Sequence, residues 1–292
     1  MTRVRINALV VAAAGALCAC SARGAVLLER RPYVATPDAA PPAAATLRDL
    51  FTREELMAAD GTRLPYRLLA PAAAPPGTTP PGAGLPLVVV LHGSGAIGGD
   101  NVQQLGAFPL AWARTEIAAE FPAWIAVPQV AVRSADYVPG DDGLLESHPG
   151  ASLPLVVALI EELSARPGVD RGRIYVVGFS MGASAALNLA VLRPDLVAGV
   201  VAFSGVAPRR ALAVRTAATS QLLVHGTADD ENPIGPDRAW VAALAAAGAR
   251  PRLVEIVGMD HRVAPEMVGA RDWRAWLFAQ RLGTARDAAE RR

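Results

Sequence analysis

Ser180 sits in Gly178-Phe179-Ser180-Met181-Gly182, directly after the β-branched run Ile174 to Val177 and directly before the Ala/Leu-rich stretch Ala183 to Leu192. A strand that breaks into a sharp turn and then a helix holds the turn residue in strained dihedrals. Glycine on either side removes the Cβ that would strike the neighbouring backbone. The following helix aims unpaired amides and its positive end at the turn, where an oxyanion is stabilised. Ser180 is therefore a candidate nucleophile, Gly178 and Gly182 make room for its elbow, and the Met181 amide is a candidate oxyanion donor.

A serine hydroxyl needs a base, and the chain has four histidines. His92 and His225 each precede a glycine at the end of an apolar run, where a tight structural role suits them better, and His148 lies in an irregular stretch. His261 follows the apolar run Arg252 to Val257 and is the best base. Its orienting acid is expected at Asp229 or Asp230, after His225-Gly226; Asp229 is preferred because it comes first after the turn. His261 would take the Ser180 proton as Oγ attacks an acyl carbon, and the carboxylate would stabilise the resulting imidazolium. A second oxyanion donor is expected from Ser94, in the glycine-rich stretch Gly93 to Gly99 that ends the buried run Leu87 to Leu91. That stretch lacks the Lys-Ser/Thr of a phosphate loop and the spacing of a dinucleotide fingerprint; the competing reading is a plain loop.

The elements that must position these groups alternate. A hairpin is expected from runs near Arg53 to Ala58 and Leu64 to Leu69 across Asp60-Gly61, and a surface loop over Pro71 to Leu85. Helices are expected over Leu105 to Ala119, Pro154 to Leu163, Ala183 to Leu192, Arg238 to Ala247 and Pro265 to Arg281. Strands are expected at Leu87 to Leu91, Ala123 to Val127, Ile174 to Val177, Leu196 to Phe203, Gln221 to Val224 and Arg252 to Val257. Pro128 to Ser152 reads as an irregular segment overhanging the site and touching substrate, its acidic residues serving equally well as a solvated face. The fold class is α/β, a mainly parallel, doubly wound sheet flanked by helices. Every candidate group follows the carboxyl end of a strand, where such sheets collect ligands.

With 292 residues, 52% of them hydrophobic, the chain can bury one large core, and a formal net charge of +1 gives no electrostatic case for nucleic acid. Arg3 and Arg5 precede an apolar run, Ala8 to Cys20, too short to span a bilayer, so residues 1–20 read as an export signal. Leu17-Cys18-Ala19-Cys20 resembles a bacterial lipoprotein box with Cys20 as the lipidated residue, implying an outer-membrane or periplasmic lipoprotein. Cleavage by ordinary signal peptidase, giving a secreted protein, is the alternative. Both cysteines lie in this segment, which excludes a thiol nucleophile or disulfide from the body of the chain. Residues 21–46, with Pro and Ala but no periodicity, read as a linker, and 47–292 as the folded domain.

Gly178 to Gly182, Leu91-His92-Gly93-Ser94-Gly95 with Asp100-Asn101, Ala126-Val127-Pro128-Gln129, Asp170 to Tyr175 and His225 to Asp229 together resemble the α/β-hydrolase superfamily. Within it the chain is similar to the secreted phospholipase/carboxylesterase-like and polyhydroxybutyrate-depolymerase-like esterases, over about Leu47 to Leu282. Ala183 stands where a further glycine is common in that group, and Val130-Ala131 where relatives often have a cysteine. The resemblance implies a Ser180, Asp229, His261 triad acting on small or polymeric esters through an acyl-enzyme, with no metal or cofactor. Two rival readings are a serine peptidase of prolyl-oligopeptidase type, for which no propeller precedes the domain, and a non-catalytic lipoprotein that keeps the fold as a binding module.

Overall fold

The computed structural model describes residues 24–33, 44–71 and 84–283. The expected export signal, Cys20 and most of the loop after Pro71 lie outside these residues. In chain order the elements are β1 (Leu27–Pro32), α1 (Ala44–Arg48), β2 (Thr52–Met57), β3 (Arg63–Leu69), β4 (Leu85–Leu91), α2 (Ala107–Leu110), α3 (Thr115–Glu120), β5 (Trp124–Pro128), β6 (Ala135–Pro139) and β7 (Leu145–Pro149). They continue as α4 (Leu153–Ser164), β8 (Val169–Phe179), α5 (Met181–Leu192), β9 (Gly199–Phe203), β10 (Ser220–Gly226), α6 (Gly235–Ala246), β11 (Arg252–Val257), α7 (Pro265–Val268) and α8 (Asp272–Phe278).

Nine strands form one sheet in the order β1-β11-β10-β9-β8-β4-β5-β3-β2. Pairing is parallel from β1 through β5 in that order and antiparallel at the β5-β3-β2 edge. Successive strand side chains point to opposite faces, so each strand feeds two cores. Val89, Val176, Val200 and Leu223 pack on one side with α4, α5 and α6. Val88, Val90, Tyr175, Val177 and Val224 pack on the other with the region of α2, α3 and α8. This is why the central strands read as continuous apolar runs rather than as alternation. From β4 the chain continues to β5 on one side and later returns to β8 on the other. The sheet therefore opens a crevice at the carboxyl ends of β4 and β8.

Four expectations are corrected. Residues 21–46 are not all linker: Leu27–Pro32 extends the sheet, pairing in parallel with β11. An arginine ladder fixes this strand, because Arg30 and Arg238 both bond the buried Glu255 carboxylate at 2.7 to 3.0 Å. It is an edge strand with no buried residue, Leu-Leu-Glu-Arg-Arg-Pro, so it lacks the apolar pattern of a central strand. The helix expected over Leu105 to Ala119 is broken into α2, a 3-10 turn Ala111–Ala113 and α3, since Arg114 is extended. The helix expected over Pro265 to Arg281 divides at Gly269; the buried Arg274 donates to the carbonyls of Val268 and Ala270 and is held between Trp112 and Trp273. Burial lowers Arg274 from the usual arginine range to about 9.

Within the stretch read as irregular, β6 and β7 pair as an antiparallel hairpin. Its turn carries Gly143 at φ 80°, a conformation that favours glycine, and the Asp142 carboxylate accepts the Leu144 amide. Short strands ended by Pro139 and Pro149 gave too few alternations to be seen in the sequence.

Candidate active site

Ser180 stands between β8 and α5 with φ 55° and ψ −122°, outside the conformations a side chain ordinarily adopts. Its own amide bonds the Phe203 carbonyl on β9, and its carbonyl accepts the amides of Ala183 and Ser184, so the elbow is held from both ends. A Cβ on Gly178 would overlap the Gly182 carbonyl, and one on Gly182 would overlap the Leu91 carbonyl at the end of β4. The two glycines are thus required by backbone-to-backbone approach. Because α5 begins at Met181, the amides of Met181 and Gly182 have no intrahelical acceptor.

Ser94 begins a single 3-10 turn, Ser94–Ala96, straight after β4, and is exposed. The preceding Gly93 lies so close that a Cβ there would be 3.5 Å from the Ser180 Cβ, which brings this turn beside the nucleophile. Gln129 braces it by donating to the Ala96 carbonyl at 3.2 Å and the Asp100 carboxylate at 2.9 Å. His92 braces it from within: Nδ1 donates to the Gly93 carbonyl at 2.7 Å, and Nε2 accepts the Val130 amide at 3.1 Å. Both ring nitrogens are therefore used, and burial lowers the His92 pKa below the usual imidazole range. His92 is a neutral strut.

His261, in the loop after β11, places Nε2 2.9 Å from Ser180 Oγ and Nδ1 2.8 Å from Asp229 Oδ2. The Phe179 ring lies 5.0 Å from the imidazole centroid and closes one face of it. Of the two aspartates left open by the sequence, Asp229 is buried and meets His261, whereas Asp230 is exposed. Burial works to raise the Asp229 pKa, but hydrogen bonds from His225, His261 and the Asn232 amide outweigh it and hold the carboxylate well below its usual range. His148, on β7, is exposed. Glu231 approaches His261 Nε2 to 3.8 Å from the solvent side.

Three contributions were not read from the sequence. Asn232 donates its backbone amide to Asp229 Oδ1 and its side chain to the Ser204 carbonyl, tying the acid loop to the exit of β9. Ser184, one turn along α5, accepts the Val206 amide at 2.8 Å and meets Tyr137 Oη of the hairpin at 3.1 Å. Asp237, at the start of α6, meets His225 Nδ1 at 2.8 Å in a fully buried pair. None of these residues belongs to a short motif, and the pairing of Asp237 with His225 arises only because α6 packs over β10.

A hydroxyl, imidazole and carboxylate in line, beside free helix-start amides, can generate a nucleophile and accept a proton in turn. The family model described as phospholipase/carboxylesterase matches residues 146–272. NocK of Nocardia uniformis subsp. tsuyamanensis, a provisionally named esterase, is 34% identical over 189 residues, which are 62% of this chain and 49% of that protein. The chain thus spans about half the length of this curated relative. The crystal structure of a thermostable esterase superposes with a TM-score of 0.70 at 24% identity, over 81% of this chain and 64% of that one. A puromycin-hydrolysing peptidase of Mycobacterium tuberculosis superposes with a TM-score of 0.58 at 16% identity, over 81% of this chain and 40% of that one. At these identities the two structures speak for the fold alone.

Proposed function

We propose that the chain, which has the α/β-hydrolase fold and matches the phospholipase/carboxylesterase family model over residues 146–272, is a serine hydrolase cleaving carboxylic esters through an acyl-enzyme. The observation that carries this reading is Ser180 Oγ at 2.9 Å from His261 Nε2, with Asp229 on the other ring nitrogen. Ser180 Oγ attacks the ester carbonyl carbon as His261 Nε2 takes its proton. The Met181 and Ser94 amides receive the oxyanion, and collapse expels the alcohol, which takes the proton from Nε2. Water then repeats the sequence on the acyl-enzyme, releasing the acid and restoring Ser180. The esterase relative and the family description support an ester as substrate; the acyl and alcohol groups follow from loops around the crevice.

The test is labelling of the purified protein with a fluorophosphonate, beside Ser180→Ala and His261→Ala, followed by a panel of p-nitrophenyl esters. Labelling of the wild type alone, with turnover of at least one ester, supports the reading. A folded wild type that neither labels nor turns over any ester overturns it. We also propose export, with attachment to a membrane through Cys20; loss of radiolabelled palmitate incorporation in Cys20→Ala tests the anchor.

A further inference from the structure

We infer that His225 and Asp237 are positioning residues: a buried imidazole and carboxylate, set in series with Asp229, that fix the charge and orientation of the acid on which His261 depends. The catalytic meaning of this pair rests on the function proposed above, but its physical content does not.

His225 ends β10, and both it and Asp237 have side chains closed to solvent. His225 Nε2 lies 2.7 Å from the Asn232 carbonyl and 3.3 Å from Asp229 Oδ2. A carbonyl oxygen can only accept, so Nε2 carries a hydrogen, shared between that carbonyl and Asp229. One further proton remains between Nδ1 and Asp237 Oδ2, which are 2.8 Å apart. On whichever atom it rests, the pair is neutral as a whole and always offers Asp229 a donor. Asp229 Oδ2 is also the atom that receives His261 Nδ1. Asp237, His225, Asp229, His261 and Ser180 thus form one continuous line from α6 to α5.

Packing alone does not account for the arrangement. Burying a second carboxylate beside the first carries a desolvation cost that an apolar side chain at position 237 would avoid. Asp237 Oδ1 is moreover buried with no hydrogen-bond partner among the described residues. What the line gives in return is control of Asp229: a carboxylate that already accepts from Asn232 and His225 cannot rotate, and its charge is partly compensated.

The sign of the effect follows. Removing the His225 donor leaves more negative charge on Asp229, so imidazolium at His261 is favoured. The other charged and titratable groups facing this line are Glu231 on the acid loop, the Asp260 and Arg262 pair beside His261, and Tyr137 from the hairpin toward Asn232.

The experiment uses the full chain with nitrogen-labelled histidine and follows the His261 imidazole by NMR titration, alongside the pH profile of p-nitrophenyl butyrate hydrolysis. His225→Asn keeps a partner for Asp237 but loses the donor to Asp229; His225→Gln keeps a neutral donor at the Nε2 position; Asp237→Asn is isosteric and weakens the donor by leaving His225 neutral. The His261 midpoint and the acid limb of kcat/KM should both move up, by about one pH unit in His225→Asn and by about half that in the other two. kcat should fall about tenfold or more in His225→Asn, with KM little changed. Folded variants with an unmoved midpoint, or shifts that follow melting temperature rather than donor strength, would overturn the inference. The titration needs no turnover, so an inactive wild type would sink the esterase reading and leave this one to be judged on the midpoint.

Discussion

Tyr137 Oη lies 3.1 Å from Ser184 Oγ, and Ser184 stands in the first turn of α5, the helix that Ser180 precedes. Through this contact the β6-β7 hairpin is fastened to the helix that follows the candidate nucleophile. Asn188 adds a second fastening by donating to Ser147 Oγ on β7 at 2.8 Å. The hairpin therefore has a fixed place beside the elbow. Tyr137→Phe removes one hydrogen bond and should cost about 1 kcal/mol in urea unfolding. Ser184→Ala should cost more, about 1 to 3 kcal/mol, because it also strands the buried Val206 amide. The double variant should cost less than the sum, which a double-mutant cycle measures directly.

Asp229 and Asp230 adjoin, but only Asp229 meets His261. Asp229→Asn should lower kcat/KM on p-nitrophenyl esters by roughly 10⁴-fold, through the wrong imidazole tautomer, with the melting transition retained. Asp230→Asn should stay within about threefold of wild type, because an exposed carboxylate off the line changes the site's field little. A large loss in Asp230→Asn would reassign the acid.

The elbow was legible in the sequence because its demands are local. Gly178, Ser180 and Gly182 are fixed by backbone approach within one strand-turn-helix unit, and such constraints leave a short motif. His261 and Asp229 were legible because each follows an apolar strand. Asp237 was not, since its meaning depends on how α6 packs over β10, and nothing within a turn of it signals that. The edge strand β1 was missed for a related reason: exposed on most of its residues, it shows no alternation, two leucines being followed by Glu29, Arg30 and Arg31. The helices at Leu105 to Ala119 and Pro265 to Arg281 were read too long because apolar periodicity persists through the breaks at Arg114 and Gly269.

Gly178→Ala and Gly182→Ala test the elbow itself. In both, the new methyl meets backbone rather than a movable side chain. Each should lower the thermal midpoint by several degrees and reduce fluorophosphonate labelling about tenfold or more, as Ser180 is pushed out of line. Gly61→Ala is the control: its φ of 82° strains a side chain, but nothing lies within 4 Å of the added Cβ. It should be mildly destabilising with labelling unchanged.

The pH dependence of stability has a definite sign at His225. Burial acts to lower its pKa, but the Asp237 carboxylate and the bond to Asp229 raise it to about 10, above the ordinary imidazole value. A group raised in the folded state contributes stability that is complete below about pH 6.5 and is lost as pH rises toward 10. Melting temperature should thus decline by about several degrees between neutral pH and pH 10 in the wild type. The decline should be shallower in His225→Gln, which has no imidazole to deprotonate. Equal slopes in the two proteins, measured by calorimetry, would show that His225 is not held as a cation.

Glu231 Oε2 stands 3.8 Å from His261 Nε2, the atom that also faces Ser180, and its side chain is 73% exposed. A solvated carboxylate at that distance acts on the reacting centre by a screened field rather than by contact. Its influence should therefore be about 1 kcal/mol or less and should weaken with salt. Glu231→Gln is expected to favour anionic esters over cationic ones by up to about fivefold in kcat/KM at low ionic strength, with the gap closing as salt is added. Neutral p-nitrophenyl esters should change little. A loss of more than about a hundredfold on neutral esters would instead place Glu231 in the proton-transfer line, in competition with Ser180 for His261 Nε2.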